Sequence, residues 1–368
     1  MRQATTIIGA WALAQVLMLI AAVWSDDDPF SPDTYARWDS GLYLAVANDG
    51  PTLERCVDIP NRSPDDWCGT AGWLPLYPLL IRALSVISSM SPVMSAWVIA
   101  SVAQLAGLTG LVMLLRRRGA TGQRLLIITT IAALFPGAVW NHAIFPMSLA
   151  AALMWWGLVM SDRRHLVIAA ILIGLTAVAH NSGIVIVAVW VALTVLRHRT
   201  KASLVASAVA VTPALVLFAY QQMALGHWNA HLLIQSSYGH RIGFAPQVII
   251  DRVVDAFDAG ARPFMLASIQ DVYLVVLIAL AVFGVAAGVR SQRNDETITA
   301  AAIIGIANGL VALSITGSDI AHWRLAALAV GIVPALKSRS LPVLFGVAVI
   351  NAVFFIGIAN GYVRGYYY

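Results

Sequence analysis

The chain has 368 residues, 60% of them hydrophobic and 11% charged, with a mean hydropathy of +0.79. A soluble domain carries about 25% charged residues, so too little charge remains here to cover a water-facing surface, and an all-α polytopic membrane protein is implied. The net charge of +5 and the pI near 9.4 do not point to nucleic acid, because the basic residues, 21 of 23 being Arg, fall in small loop clusters rather than one stripe.

The first apolar run, 5–24, leads into Trp24-Ser25-Asp26-Asp27-Asp28 rather than a small-residue cleavage site. It is also too long for a signal core, so it reads as the first span. Further runs near the ~20 residues a helix needs to cross lie at 93–115, 125–140, 146–160, 166–179, 183–196, 203–223, 269–289, 297–315, 324–336 and 341–358. About eleven transmembrane helices are therefore expected, in a single domain over 1–368. The shorter runs are completed by polar flanks or tilt.

The connections alternate between two chemical kinds. One kind holds Arg2, Arg116-Arg117-Arg118, Arg124, Arg163-Arg164, Arg197, Arg199, Lys201, Arg290, Arg293, Lys337 and Arg339. On that side stand 14 basic and 3 acidic residues, against 9 basic and 15 acidic on the other. Basic loops stay cytoplasmic, which predicts a multi-pass plasma (inner) membrane protein with its N-terminus inside and residues 25–92 outside. Leu74–Met90 is apolar enough to be taken for a span, but crossing there would flip every later basic loop. With Arg82, Pro75 and Pro78 inside it, the segment reads as a juxtamembrane or re-entrant helix at the outer surface.

The outer connections are rich in His, Arg, Trp and Tyr. His142, His180, His227, His231, His240 and His322 lie there with Arg37, Arg241 and Arg324. Interfacial preference explains any one of them; as a set they suggest a ligand site. Over Tyr35–Ala47 the apolar positions fit an amphipathic interfacial helix, with Arg37, Trp38 and Asp39 at its start. Asp39 there is either a helix cap or a functional carboxylate facing the positive end of the helix dipole. Cys56 and Cys68, both in the outer loop, most simply form a disulfide in an oxidising compartment, worth ~3 kcal/mol for a loop of this length. The rival, a thiol metal site, has no nearby His to complete four ligands.

Arg37-Trp38-Asp39-Ser40, followed by Leu42-Tyr43-Leu44-Ala45-Val46-Ala47 and then Trp73-Leu74-Pro75-Leu76-Tyr77-Pro78-Leu79-Leu80-Ile81, resembles the first loop of the bacterial PIG-V-like mannosyltransferases. Leu134-Phe135-Pro136-Gly137-Ala138 and His180-Asn181-Ser182-Gly183 are similar to later segments of that family. Where the family often has Tyr-Ser-Glu, this chain reads Ala143-Ile144-Phe145-Pro146-Met147-Ser148, leaving Asp39 as the one acid for which the resemblance argues.

The resemblance implies a GT-C-like integral membrane glycosyltransferase. It would move a sugar, mannose foremost, from a polyprenyl-phosphate donor to a lipid or glycan acceptor on the extracytoplasmic face, with inversion. The chemistry needs a base for the acceptor hydroxyl and positive charge on the leaving phosphate. Asp39 suits the first role. Arg241 and Arg324, with His240 and His322, suit the second, and Arg37, Trp38 and His142 join them as expected substrate contacts. No Asp-x-Asp motif is present, so no metal or other cofactor is expected beyond the donor itself. Membrane lipids are the other expected partners. Two alternatives remain at this point: a transporter of a polar solute, and a non-catalytic protein that binds a lipid-linked sugar. Charges gathered at span ends weigh against the first.

Overall fold

The computed structural model describes residues 3–57, 62–258, 262–290, 295–316, 324 and 326–365; at 245, 252–253, 255–258, 262–270, 287–290 and 316 it describes the backbone alone. Almost every element is a helix. In chain order they are α1 (Gln3–Val23), a 3-10 turn (Pro32–Tyr35), α2 (Ser40–Asp49), α3 (Leu76–Ser88), α4 (Pro92–Arg117), α5 (Gly122–Ala133), a 3-10 helix (Pro136–Asn141), α6 (Met147–Asp162), α7 (Leu166–Ala179), α8 (Gly183–His198) and α9 (Lys201–Leu225). After these come α10 (Ala230–Ser237), α11 (Ala245–Asp258), α12 (Arg262–Arg290), α13 (Glu296–Ser314), a long 3-10 helix (Ala327–Ser338) and α14 (Leu341–Val363). Two short antiparallel ribbons interrupt them. In one, β1 (Glu54–Arg55) pairs with β2 (Trp67–Cys68); in the other, β3 (Arg241–Ile242) pairs with β4 (Ile315–Thr316).

Five of the described helices, α1, α4, α9, α13 and α14, are long and apolar enough to cross a membrane. Shorter apolar helices pack among them, α3 and α5 to α8 included. This is an α-helical membrane protein.

Local sequence explains the boundaries. Ser91 caps α4 by accepting from the Met94 N–H at 3.2 Å, with Pro92 in the first turn and Arg116 and Arg117 in the last, where cations complement the helix dipole. A capping box of Thr200 and Ser203 opens α9, and Gly226, at φ +74°, closes it. Asp295 starts α13 by accepting from the Thr297 and Ile298 N–H groups. Gly183 starts α8 so close to the Thr176 carbonyl that a Cβ there would overlap it.

Two expected spans look different in the structure. The run 125–140 is not one helix, because α5 ends at Ala133 and the chain turns at Phe135-Pro136 into 3-10 geometry. Proline cannot donate to the preceding turn and disfavours helix in the residue before it. From Phe135 to Ser148 every residue but Asn141 is buried, so the expected outer loop 141–145 is folded into the bundle. The run 324–336 is represented by the 3-10 helix, about 24 Å long at the ~2.0 Å rise of that geometry. It packs against α13 with Gly331 facing Gly305, where a Cβ on either would collide with the other's backbone.

The segment expected to lie along the surface, α3, has 13 residues, about 20 Å. It buries Tyr77, Pro78 and Ile81 and exposes Leu79, Leu80, Val86 and Ile87. Ahead of it, Cys56 and Cys68 are joined by a disulfide across the β1–β2 ribbon, with Cα atoms 5.1 Å apart. That ribbon is bound to α10: the Trp67 N–H donates to Ser237 Oγ at 2.9 Å, and the Arg62 guanidinium donates to the Ser237 carbonyl.

Candidate active site

The turn before α2 is held by three hydrogen bonds. The Tyr35 carbonyl accepts from the Tyr362 hydroxyl at 2.9 Å and from the Ile144 N–H at 3.1 Å. The Arg37 N–H donates to the Tyr362 oxygen at 3.3 Å. These bonds tie the first loop to the end of α14 and to the buried 135–146 segment. Trp38 then adopts a left-handed backbone, φ +57°, a conformation uncommon for a bulky residue that surrounding structure must hold in place.

This turn puts Asp39 at the N-cap of α2, yet its side chain makes no capping bond. The carboxylate instead forms an ion pair with Arg324, whose guanidinium donates to Asp39 Oδ2. Both side chains are mostly buried, 23% and 14% exposed. The Phe145 ring lies 5.8 Å from the Arg324 guanidinium carbon, and Tyr43 and Tyr362 meet Phe145 edge-on at 5.8 and 6.4 Å between centroids. An aromatic floor therefore underlies the charged pair, lowering the local dielectric and strengthening its field. Burial pushes the Tyr43 hydroxyl well above its ordinary range, and the Asp39 charge adds to that, partly opposed by Arg324.

Two histidines feel the Arg324 charge. His180, at the end of α7, is pushed down to about 3 by burial and then by the Arg324 charge. His240 is pushed down by burial and by Arg324, against the opposing pull of Asp39. Its Nδ1 lies 2.8 Å from Gln235 Oε1, while the Gln235 amide nitrogen donates to the Gly72 carbonyl at 3.4 Å. The glutamine oxygen can only accept, so His240 carries its proton on Nδ1 and leaves Nε2 as an acceptor. Burial and Arg324 thus keep both imidazoles neutral near pH 7.

The other expected contacts are placed elsewhere. Arg37 directs its guanidinium at Asp27, 3.1 and 3.2 Å from the two carboxylate oxygens. His142 is buried, its Nε2 2.6 Å from the Gln104 amide nitrogen and its ring edge-on to Phe355. It has no charged neighbour strong enough to add to the burial that pushes it down to about 3. Arg241 is exposed and pairs with Thr316 in the β3–β4 ribbon, which brings it beside the strand that precedes Arg324. Trp38 packs against the core. His322 lies outside the described residues. Among the described residues, no three His, Cys, Asp or Glu side chains gather as a metal-ligand set.

Beside this centre runs an apolar cavity of about 490 Å³ between α2, α3, α7 and α9. Val46, Ala47, Leu79, Val178 and Leu217 line it, and Arg82 is its only charged lining residue among those described. Two elements serve both places. Helix α2 gives Asp39 to the charged pair and Val46 and Ala47, about two turns on, to the cavity; α7 gives Val178 to the cavity, and His180 follows two residues later. The cavity therefore shares α2 and α7 with the charged centre, and none of the centre's own residues lines it.

Sequence reasoning missed Tyr362 and Gln235 as parts of this site. Tyr362 in the last turn of an apolar helix carries a weak signal, that of a phenol ending a span, and Gln235 carries none. Compared with protein-family models and with curated proteins, the chain matches none.

Proposed function

We propose that this chain is a membrane glycosyltransferase of the PIG-V-like, GT-C kind, which moves a sugar, mannose foremost, from a polyprenyl-phosphate donor to a lipid or glycan acceptor on the extracytoplasmic face. One observation carries the reading: an acid–guanidinium pair with two neutral imidazoles is built on the same helices, α2 and α7, that line an apolar cavity, which suits a substrate with a charged head and a hydrocarbon tail. The resemblance of the Arg37-Trp38-Asp39-Ser40 segment and the asymmetry of basic loops add support, the latter for an inner-membrane protein of about eleven spans with this end outside.

In the proposed reaction the isoprenyl chain lies in the apolar cavity and its phosphate reaches Arg324. The acceptor oxygen attacks the anomeric carbon, the carbon–oxygen bond to phosphate breaks on the opposite face, and the acceptor proton passes to Asp39. Arg324 stabilises the charge that grows on the departing phosphate. A single displacement inverts the anomeric centre. The test is direct: purified protein incubated with polyprenyl-phospho-mannose and a membrane lipid extract should release free polyprenyl phosphate and label an extract component. No release with any extract, from protein shown to be folded, sinks the proposal.

A further inference from the structure

The ends of α4, α6, α8 and α13 enclose a second cavity, of about 480 Å³. It is remote from Asp39. Trp97, near the start of α4, stacks on Tyr35 at 6.4 Å, whereas the cavity lies at Arg118, beyond the far end of that 26-residue helix, roughly 30 Å away along the axis. This is the end of the bundle that carries the basic loops.

The acids of this cavity are largely neutralised from within. Asp162 pairs with Arg117 at 2.6 Å and with Arg118, and Asp295 pairs with Arg118 and with Lys337 at 3.4 Å. Glu296 is the remaining lining carboxylate. Arg164 and Arg197 line the same cavity. The Arg197 guanidinium donates to the Glu296 main-chain carbonyl at 3.0 Å, so its charge meets no carboxylate there. Arg164, in the turn between α6 and α7, is exposed and forms no ion pair among the described residues. Arg197 and His198 occupy the last turn of α8, where the helix dipole adds negative potential and favours a cation. Away from the charges the lining becomes apolar, with Leu158, Leu193 and Trp190, which is 2% exposed.

We propose that this cavity binds the phosphate group of an anionic lipid, held between Arg164 and Arg197, with the carbons next to the phosphate resting on Leu158 and Leu193. Guanidinium groups pair phosphate oxygens bidentately. Basic pockets between membrane helices at this face suit lipid headgroups, and the volume falls within the usual range of ligand sites. The same chemistry would accept a soluble phosphate, which is the other possible source.

The full-length protein in phosphatidylcholine nanodiscs would be titrated with phosphatidylglycerol, and retained lipid counted by native mass spectrometry. The expected result is preferential retention of phosphatidylglycerol, reduced on the order of tenfold or more in R164Q/R197Q, from about 1 kcal/mol per basic residue, and largely kept in R164K/R197K. A parallel arm adds inorganic phosphate and follows the melting temperature. A rise in wild type that is lost in R164Q/R197Q, without lipid preference, assigns the same site to a soluble phosphate. Equal retention of the two lipids with no response to phosphate overturns the proposal, as does a preference unchanged in R164Q/R197Q. Neither arginine belongs to the Asp162–Asp295 clamp, and a melting curve of each variant in phosphatidylcholine checks that it is folded.

Discussion

Arg324 donates to the carboxylate of Asp39 across 285 positions of sequence. The residue proposed as base and the residue proposed to receive the phosphate therefore begin as each other's partner. A phosphate arriving at Arg324 competes with Asp39 for the guanidinium, so donor binding would loosen the carboxylate at the moment an acceptor needs it. The pair also bears on the capping alternative. Asp39 occupies the cap position of α2, but its side chain is turned to Arg324 instead of the helix N–H groups.

Asp39→Asn keeps the shape and removes the basicity. Turnover, followed as polyprenyl phosphate release, should fall by at least ~10²-fold, the lower end for a lost general base. The folded fraction should fall modestly too, since a charge-assisted bond worth about 1.5–3 kcal/mol is weakened. Wild-type turnover in a folded Asn variant would remove Asp39 from the mechanism.

Arg324→Ala should weaken donor use by ~2–5 kcal/mol, as expected when one member of a charge pair is truncated, and Arg324→Lys should recover part of it without the bidentate geometry. Arg241→Ala, in an exposed ribbon, should have the smaller effect. A double-mutant cycle between positions 39 and 324 should be strongly non-additive, because the two side chains are in contact. Additive losses in kcat/KM would mean that the two act independently.

Acid should destabilise the protein through its buried imidazoles. His180 is pushed from 6.5 down to about 3, so between those values the unfolded chain binds a proton that the folded one does not. Stability therefore rises with pH across that window and is lost as pH falls through it, by about 1.4 kcal/mol per pH unit for each such group. His180→Gln should flatten the dependence of melting temperature on pH between 4 and 6.5 while leaving the value at pH 7.5 close to wild type. A slope as steep as that of wild type would mean that His180 takes up its proton while folded.

Reduction should loosen the outer loop. Cys56 and Cys68 close a loop of about a dozen residues, and losing the bridge should cost ~3 kcal/mol. The ribbon is bonded to Ser237, and Gly72 fixes Gln235 and through it His240. Dithiothreitol should therefore lower the melting temperature and open the 51–73 segment to protease. Thiols that react with maleimide before any reductant is added would show the bridge to be absent in the purified protein.

The orientation can be read with single-cysteine reporters in a C56A/C68A background. Phe30, 79% exposed, and Arg163, at the α6–α7 turn, are suitable because each replaces an exposed side chain. A membrane-impermeant maleimide should label F30C in intact cells and R163C only after the membrane is opened. Labelling of R163C from outside would reverse the assignment.

Much of this was legible in the sequence, and what was not shares a cause. Hydropathy located the apolar elements, because burial in lipid and burial in protein select the same residues. It could not tell one from the other, which is why the 135–146 segment was expected as span and loop and is instead folded inward. Pro136 was the available warning. The first-loop motif located Asp39, but not its partner: nothing in the spacing of 39, 235, 324 and 362 marks them as neighbours. His142 lies apart from that pair for a related reason, since a histidine near a span end looks the same in sequence whether it faces the charged centre or, as here, Gln104.

Tyr362 bonds the Tyr35 carbonyl across 327 positions. At synthesis rates of about 5–20 residues per second, the ribosome needs roughly 15–65 seconds after making the first loop before it supplies that brace. For all of that interval the turn at Arg37, Trp38 and Asp39 lacks both Tyr362 bonds and has at most the Ile144 N–H on the Tyr35 carbonyl. If the proposed function holds, a chain truncated before α14 would lack the Tyr362 brace and should not turn over the lipid-linked donor.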